Sequence, residues 1–144
     1  MFLLDTNVIS ELRRPDKADR NVTAWANAVP AASFFISAIS ILEIERGVLL
    51  IARRDAAQSA VLRAWIDRQI LARFEGRVLA VDTAVAQRCA PLHVPDPRAE
   101  RDALIAATAM VHGLTVVTRN VADFEPMGVA LINPWDSREA GEES

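Results

Sequence analysis

No two strand-like runs in this chain lie close enough together to be joined by a hairpin. Five short apolar runs can be read as strands: Phe2 to Leu4, Ser33 to Ser37, Val78 to Val81, Thr115 to Thr118 and Val129 to Ile132. The sequence between one run and the next is long enough to hold helix, and most of it carries helical spacing of apolar residues. Antiparallel neighbours need only a tight turn, whereas parallel neighbours need a crossover of a dozen residues or more. The pattern therefore predicts a parallel sheet covered by helices on both faces, a three-layer α/β/α domain with four to five strands.

The crossovers read as follows. Val8, Ile9 and Leu12 share one face of a first helix, which Pro15 ends. Asp19 to Val29 reads as a second helix, stopped by Pro30. Ser37 is placed to cap a third, from Ala38 to Arg53, and a fourth runs from Ala56 to Phe74. Asp82 caps a fifth, Thr83 to Leu92, and a sixth runs from Arg98 to His112 with Gly113 as its stop. A turn with a helical piece fills Arg119 to Met127. The helix from Ala38 is apolar nearly all round: Leu42 and Leu49 mark one side, while Ile44, Val48 and Ile51 mark another. That composition is expected of a helix covered on two sides, here by the domain and by a partner. The helical hairpin over 38–74 is thus the predicted interface. Arg63, Arg68 and Arg73 are five apart, do not share a helical face, and read as solvated charges.

Composition narrows the function by exclusion. The chain has 144 residues, a length suited to one domain, and its hydrophobic fraction of 51% is at the upper edge of the globular range. The formal net charge of −3 names no partner. Cys89 is the only cysteine, so no intramolecular disulfide forms, and a reducing, cytoplasmic setting is expected. His93 and His112 have no metal-type spacing. Residues 21–42 are uncharged, but Asn21, Asn27 and Pro30 argue against a membrane span. Of the 16 basic residues, Lys17 is the only lysine. The cluster Arg13, Arg14, Lys17 and Arg20 reads either as a phosphate guide or as plain surface charge. Residues 137–144 read as an acidic, disordered tail beyond a domain of 1–136.

Four acidic residues stand at strand ends or in early helical turns. Asp5 ends the first strand in Leu4-Asp5-Thr6-Asn7; Glu43 lies within the apolar helix in Ile41-Leu42-Glu43-Ile44. Asp102 is near the start of Asp102-Ala103-Leu104-Ile105-Ala106-Ala107, and Asp123 follows the fourth strand in Thr118-Arg119-Asn120-Val121-Ala122-Asp123. In a parallel sheet these places converge at the carboxyl edge, where such sheets put their ligands. Each acid also has a local reading. Asp5 and Asp123 suit helix caps, Ser40-x-x-Glu43 matches a capping box, and Asp102 complements a helix dipole. Four caps have no reason to gather at one edge, and like charges ~4 Å apart at an effective dielectric of ~20 repel by ~4 kcal/mol. Cations are the natural neutraliser. Oxygen ligands without Cys or His favour Mg²⁺ or Mn²⁺ over Zn²⁺, and a pocket so loaded suits phosphodiester hydrolysis. Thr6, Asn7, Thr118 and Asn120 are placed to orient waters or phosphate oxygens in support.

On these residues the chain resembles PIN-domain ribonucleases of the VapC/FitB toxin type. The matching stretches are Leu4 to Glu11, Ser37 to Ile44, Asp102 to Ala109, Thr118-Arg119-Asn120 through Asp123-Phe124, and Asn133-Pro134-Trp135. The resemblance implies a metal-dependent endoribonuclease with Asp5, Glu43, Asp102 and Asp123 as catalytic, metal-binding acids. It implies membership of a type II toxin–antitoxin pair, in which a small antitoxin blocks the acidic pocket and carries any operator-DNA binding. Antitoxin docking on the 38–74 hairpin and a homodimer fit the same picture. One departure stands out: family members usually lead into the third acid through a Gly- and Pro-containing segment. Here that segment is Pro95-Asp96-Pro97-Arg98-Ala99-Glu100-Arg101.

Two other acid-lined parallel sheets fit less well. A phospho-accepting receiver domain needs a lysine after its last strand, and Lys17 is far from there. A haloacid-dehalogenase-type phosphatase needs a second Asp two residues after Asp5, where this chain has Asn7. The remaining alternative is a non-catalytic PIN-like scaffold that binds RNA or a protein partner.

Overall fold

A computed structural model describes residues 1–136, so the tail predicted over 137–144 lies outside the described residues. Among the described residues, five strands form one parallel sheet in the order β3-β2-β1-β4-β5. They are β1 (Phe2–Leu4), β2 (Phe34–Ser37), β3 (Val78–Leu79), β4 (Thr115–Val117) and β5 (Leu131–Ile132). The helices are α1 (Thr6–Glu11), α2 (Arg20–Asn27), α3 (Ala38–Ala52), α4 (Ala56–Trp65), α5 (Thr83–Cys89), α6 (Glu100–His112) and α7 (Val121–Phe124). The predicted parallel α/β/α arrangement is the one observed.

Alternation along the strands sorts the core into two halves. Leu3 and Val116 face a layer containing Val85, Ala103, Ala106 and Phe124 from α5, α6 and α7. Leu4 and Val117 face the other way, toward Val8, Trp25, Ile44 and Val48 from α1, α2 and α3. Successive strand residues point to opposite faces, so each strand feeds both halves. In α6 the buried positions Ala103, Ala106, Ala107 and Ala109 carry only a methyl group, which lets the helix approach the sheet closely.

Ser37 and Asp82 cap their helices as their positions predicted: Ser37 Oγ accepts from the backbone N–H of Ile39 and Asp82 Oδ1 from Val85. Asp19 and Asp55, not singled out in the sequence, do the same for α2 and α4, Asp19 Oδ1 accepting from Asn21 and Val22 and Asp55 Oδ1 from Gln58. Gly113 ends α6 in the left-handed conformation at φ +67°, as the stop signal predicted.

The larger departures from the predicted boundaries are local. The helix expected over 56–74 is α-helical to Trp65 and continues as a wider π-turn over Ile66–Leu71, which keeps Ile66 and Ile70 buried. The fifth helix ends at Cys89 and tightens into a 3-10 turn over Ala90–His93, because Pro91 has no N–H to continue the ladder. The edge strands β3 and β5 are two residues long rather than four, each pairing on one side only. The sixth helix begins at Glu100, two residues past the expected start, and its Ala99 cap offers no side-chain acceptor. That last shift bears on the site.

Candidate metal centre

The strand order reverses between β1 and β4: from the central β1, the chain builds outward to β2 and β3, then returns to β1's other side. The crevice outside the carboxyl ends of β1 and β4 is therefore the topological switch point. Asp5 follows β1 directly and Thr118 follows β4 directly. Asp5 N–H continues the ladder to Val117 O at 2.9 Å, which fixes the residue against β4.

Asp5 is fully buried, and it both caps a helix and joins the acidic cluster. Its Oδ1 accepts from Thr6 N–H at 2.7 Å and so caps α1. The same oxygen accepts from Arg101 Nη2 at 2.5 Å, while Oδ2 accepts from the Thr118 hydroxyl at 2.8 Å. Thr118 Oγ1 in turn accepts from Asn120 N–H at 3.0 Å and Asn7 Nδ2 at 3.4 Å. Asn7 Oδ1 also accepts from the Arg119 N–H, so Asn7 links the loops after β1 and β4. Among the supporting residues, Thr118 touches an acid directly, Asn7 acts through it, and Asn120 contributes a backbone N–H.

Glu43 reaches the crevice from α3. It is not half of a capping box, because Ser37 is the cap and Ser40 lies a turn inside the helix. Ser40 instead stands 2.9 Å from the Thr6 hydroxyl, which donates to Glu43 Oε1 at 2.6 Å. Thr6 thereby joins α1 to α3 at the site. Burial raises the proton affinity of Glu43, but the bonds from Arg101 and Thr6 outweigh it and hold this carboxyl below its ordinary range.

Asp102 comes from the first turn of α6, the turn that also carries Arg101. Arg101 sits among three of the predicted acids: Nε to Glu43 Oε2 at 2.6 Å, Nη1 to Asp102 Oδ1 at 2.6 Å, Nη2 to Asp5 Oδ1 and, at 2.8 Å, to Glu43 Oε1. Burial raises the Asp102 carboxyl above its ordinary value; Arg101 opposes that, and the charges of Asp5 and Asp123 add to the rise. Arg101 itself is held charged by Glu43 and Asp5 against the effect of burial.

Asp123 stands apart from this network. It lies on α7 with an exposed side chain, and its influence on the cluster is the charge felt by Asp102. The structure thus joins Asp5, Glu43 and Asp102 through one guanidinium, with Asp123 at the rim.

Among the described residues, no three acidic, histidine or cysteine side chains stand as a ready metal cage. The guanidinium gives the physical reason: it stands between the three carboxylates and bonds all of them. The donor set itself suits a hard divalent ion. It is all oxygen, it is shielded from water, and it already surrounds a cation.

Arg101 and Ser40 are the site members that the spacing of acids did not reveal.

The PIN domain family matches residues 2–125. The chain belongs to the PIN-domain family. It is 39% identical to the toxin FitB of Neisseria gonorrhoeae over 141 residues, 94% of this chain and 99% of that one. It is 35% identical to the VapC ribonuclease Y4jK of Sinorhizobium fredii, again over 94% and 99% of the two chains. Among solved structures, the crystal structure of FitAcB from Neisseria gonorrhoeae matches with a TM-score of 0.85 and 38% identity, covering 94% of this chain and 99% of that one. More distant PIN-like structures share the fold, including the DNA-bound VapBC of Salmonella typhimurium, with a TM-score of 0.74 and 24% identity over 92% and 97%.

Proposed function

We propose that this chain is the toxin of a type II toxin–antitoxin pair, an endoribonuclease that hydrolyses RNA phosphodiester bonds with a divalent metal. The observation that carries the reading is the convergence of Asp5, Glu43 and Asp102, from three different elements, on one cation position at the switch point. The family and the toxin and ribonuclease names of full-length relatives agree with it.

Asp5, Glu43 and Asp102 would hold the metal, with Asp123 completing the set from the rim; Mg²⁺ or Mn²⁺ matches the oxygen donors. A metal bound there supplies an activated water and stabilises charge growing on the phosphate. The chain's own residues set the geometry. Thr118 fixes Asp5 through Oδ2, Thr6 fixes Glu43 through Oε1, and Asn7 ties the two surrounding loops. The nuclease unit spans 1–136. The protein acts in the cytoplasm, and among the described residues no helix is long and apolar enough to cross a membrane.

The antitoxin docks on the 38–74 hairpin and closes the acidic pocket, bringing any contact with operator DNA. Leu42, Leu49, Leu50 and Val61 are more than half exposed on that hairpin, an apolar surface suited to a protein partner or a second copy in a homodimer. A groove of about 190 Å³ runs from Thr6 and Glu43 along Gly47 and Ile51 to Leu62 and Trp65, so a segment seated there reaches the acids.

The deciding experiment is RNA cleavage with Mg²⁺ and with chelator, comparing wild type with Asp5→Asn. Cleavage should vanish in chelator and fall by about 100-fold or more in the variant, the scale at which metal-centred charge stabilisation operates. Equal cleavage by both proteins would sink the proposal, and cleavage by neither favours the binding scaffold.

A further inference from the structure

We infer that the Arg101 guanidinium is an internal cation that competes with the divalent metal for the acidic cluster, so that metal enters only as Arg101 leaves. This rests on the metal-dependent reading above and concerns how the same site is controlled.

The geometry carries the argument. All three guanidinium nitrogens are engaged, on three carboxylates: Nε with Glu43, Nη1 with Asp102, and Nη2 with both Asp5 and Glu43. A Mg²⁺ ion binds oxygens at about 2.0–2.1 Å and demands tight octahedral geometry. The planar fork holds its acceptors farther from its centre than that, with N···O distances of 2.5–2.8 Å at its periphery. The fork stands where the three carboxylates converge, which is the position an ion shared by all three would need. The carboxylates can close inward on such an ion only when the fork has withdrawn.

Withdrawal is sterically open. The Arg101 side chain is 33% exposed, whereas its partners Asp5, Glu43 and Asp102 are 0%, 20% and 13% exposed. The guanidinium thus has a route to solvent that the acids lack. Its departure alone would leave a desolvated group of like charges, which is unfavourable, so departure and metal entry are coupled. Without metal, Arg101 keeps the acids ordered in nearly their working places; with metal scarce, it keeps the site shut.

Two measurements on the full chain test this. The first needs no variant: the Arg101 Nε–Hε resonance is followed by ¹⁵N NMR as Mg²⁺ is added. It should shift or exchange-broaden with the same half-saturation as the backbone amides of Thr6 and Asp102. A static Arg101 signal while those amides respond would overturn the inference. The second is Mn²⁺ affinity by calorimetry for wild type, Arg101→Lys and Arg101→Ala. Competition predicts affinity rising in that order, by about tenfold or more for Arg101→Ala, the expected size when a paired competing charge is removed. A structural staple predicts the opposite order, since a loosened cluster binds metal worse. Equal Mn²⁺ affinity with Mg²⁺-dependent RNA cleavage intact overturns the competition and leaves the nuclease standing. Absence of Mn²⁺ binding in all three proteins overturns both.

Discussion

Two arginines in this molecule are each surrounded by carboxylates, and they are not equivalent. Arg101 joins Asp5, Glu43 and Asp102 across three elements, and two of these acids, Asp5 and Glu43, lie 96 and 58 residues away in the chain. Arg63 joins Glu45 and Asp67, clasping α4 to α3 by a bidentate pair at 2.5 and 2.8 Å and an i,i+4 bond at 2.8 Å. The bond geometry is nearly the same. The depth is not: Arg63, Glu45 and Asp67 are 40%, 33% and 55% exposed, while Asp5 under Arg101 has no exposure at all. Water already screens the Arg63 cluster, so breaking it returns its charges to solvent; breaking the Arg101 cluster strands a buried carboxylate. Arg63, read from sequence as a solvated charge, is in fact tied to two acids, yet its exposure keeps the tie weak.

Three substitutions sharpen that contrast, measured by chemical denaturation in chelator. Arg101→Ala should cost most, about 2–3 kcal/mol, below the full cost of breaking a buried pair because the arginine is partly solvated. Thr118→Val, which removes the hydroxyl donated to Asp5 Oδ2, should cost about 1 kcal/mol, the worth of one buried hydrogen bond to a charged group less its desolvation. Arg63→Ala should cost least, under about 1 kcal/mol, and that small loss should shrink further in high salt. If Arg63→Ala proved as damaging as Arg101→Ala, depth would not be what separates the clusters.

The meeting of Asp5, Glu43 and Asp102, though not of Asp123 with them, was legible in the sequence because it follows from topology. Strand-ending positions in a parallel sheet share one edge, so Asp5 and Thr118 meet whatever the details of packing. The fold class was legible for the same reason. What sequence did not reveal depends on rotation about a helix axis. Arg101 lies in Arg98-Ala99-Glu100-Arg101-Asp102, which reads as ordinary surface charge until the start of α6 is known. That start lies at Glu100, on an uncapped Ala99, where no side-chain signal marks it. Ser40 was hidden differently: with Glu43 it imitates a capping box, and only the true cap at Ser37 frees it to face Thr6. Asp5 shows that cap and site are compatible, since one carboxylate has lone pairs enough for both.

The central place of β1 has a consequence for the newly made chain. Phe2 pairs with Phe34 on one side but with Thr115 on the other, and Asp5 hangs its backbone on Val117. During synthesis, then, the first strand waits until the chain has grown past Thr115 before its second neighbour arrives. Such long-range parallel pairing is slow, and it comes late. The acid at position 5 has no Thr118 until then, so a chain cut short before β4 carries the leading motif without the partners that hold it. The crevice at the switch point is a product of the last crossover, not of the first strand.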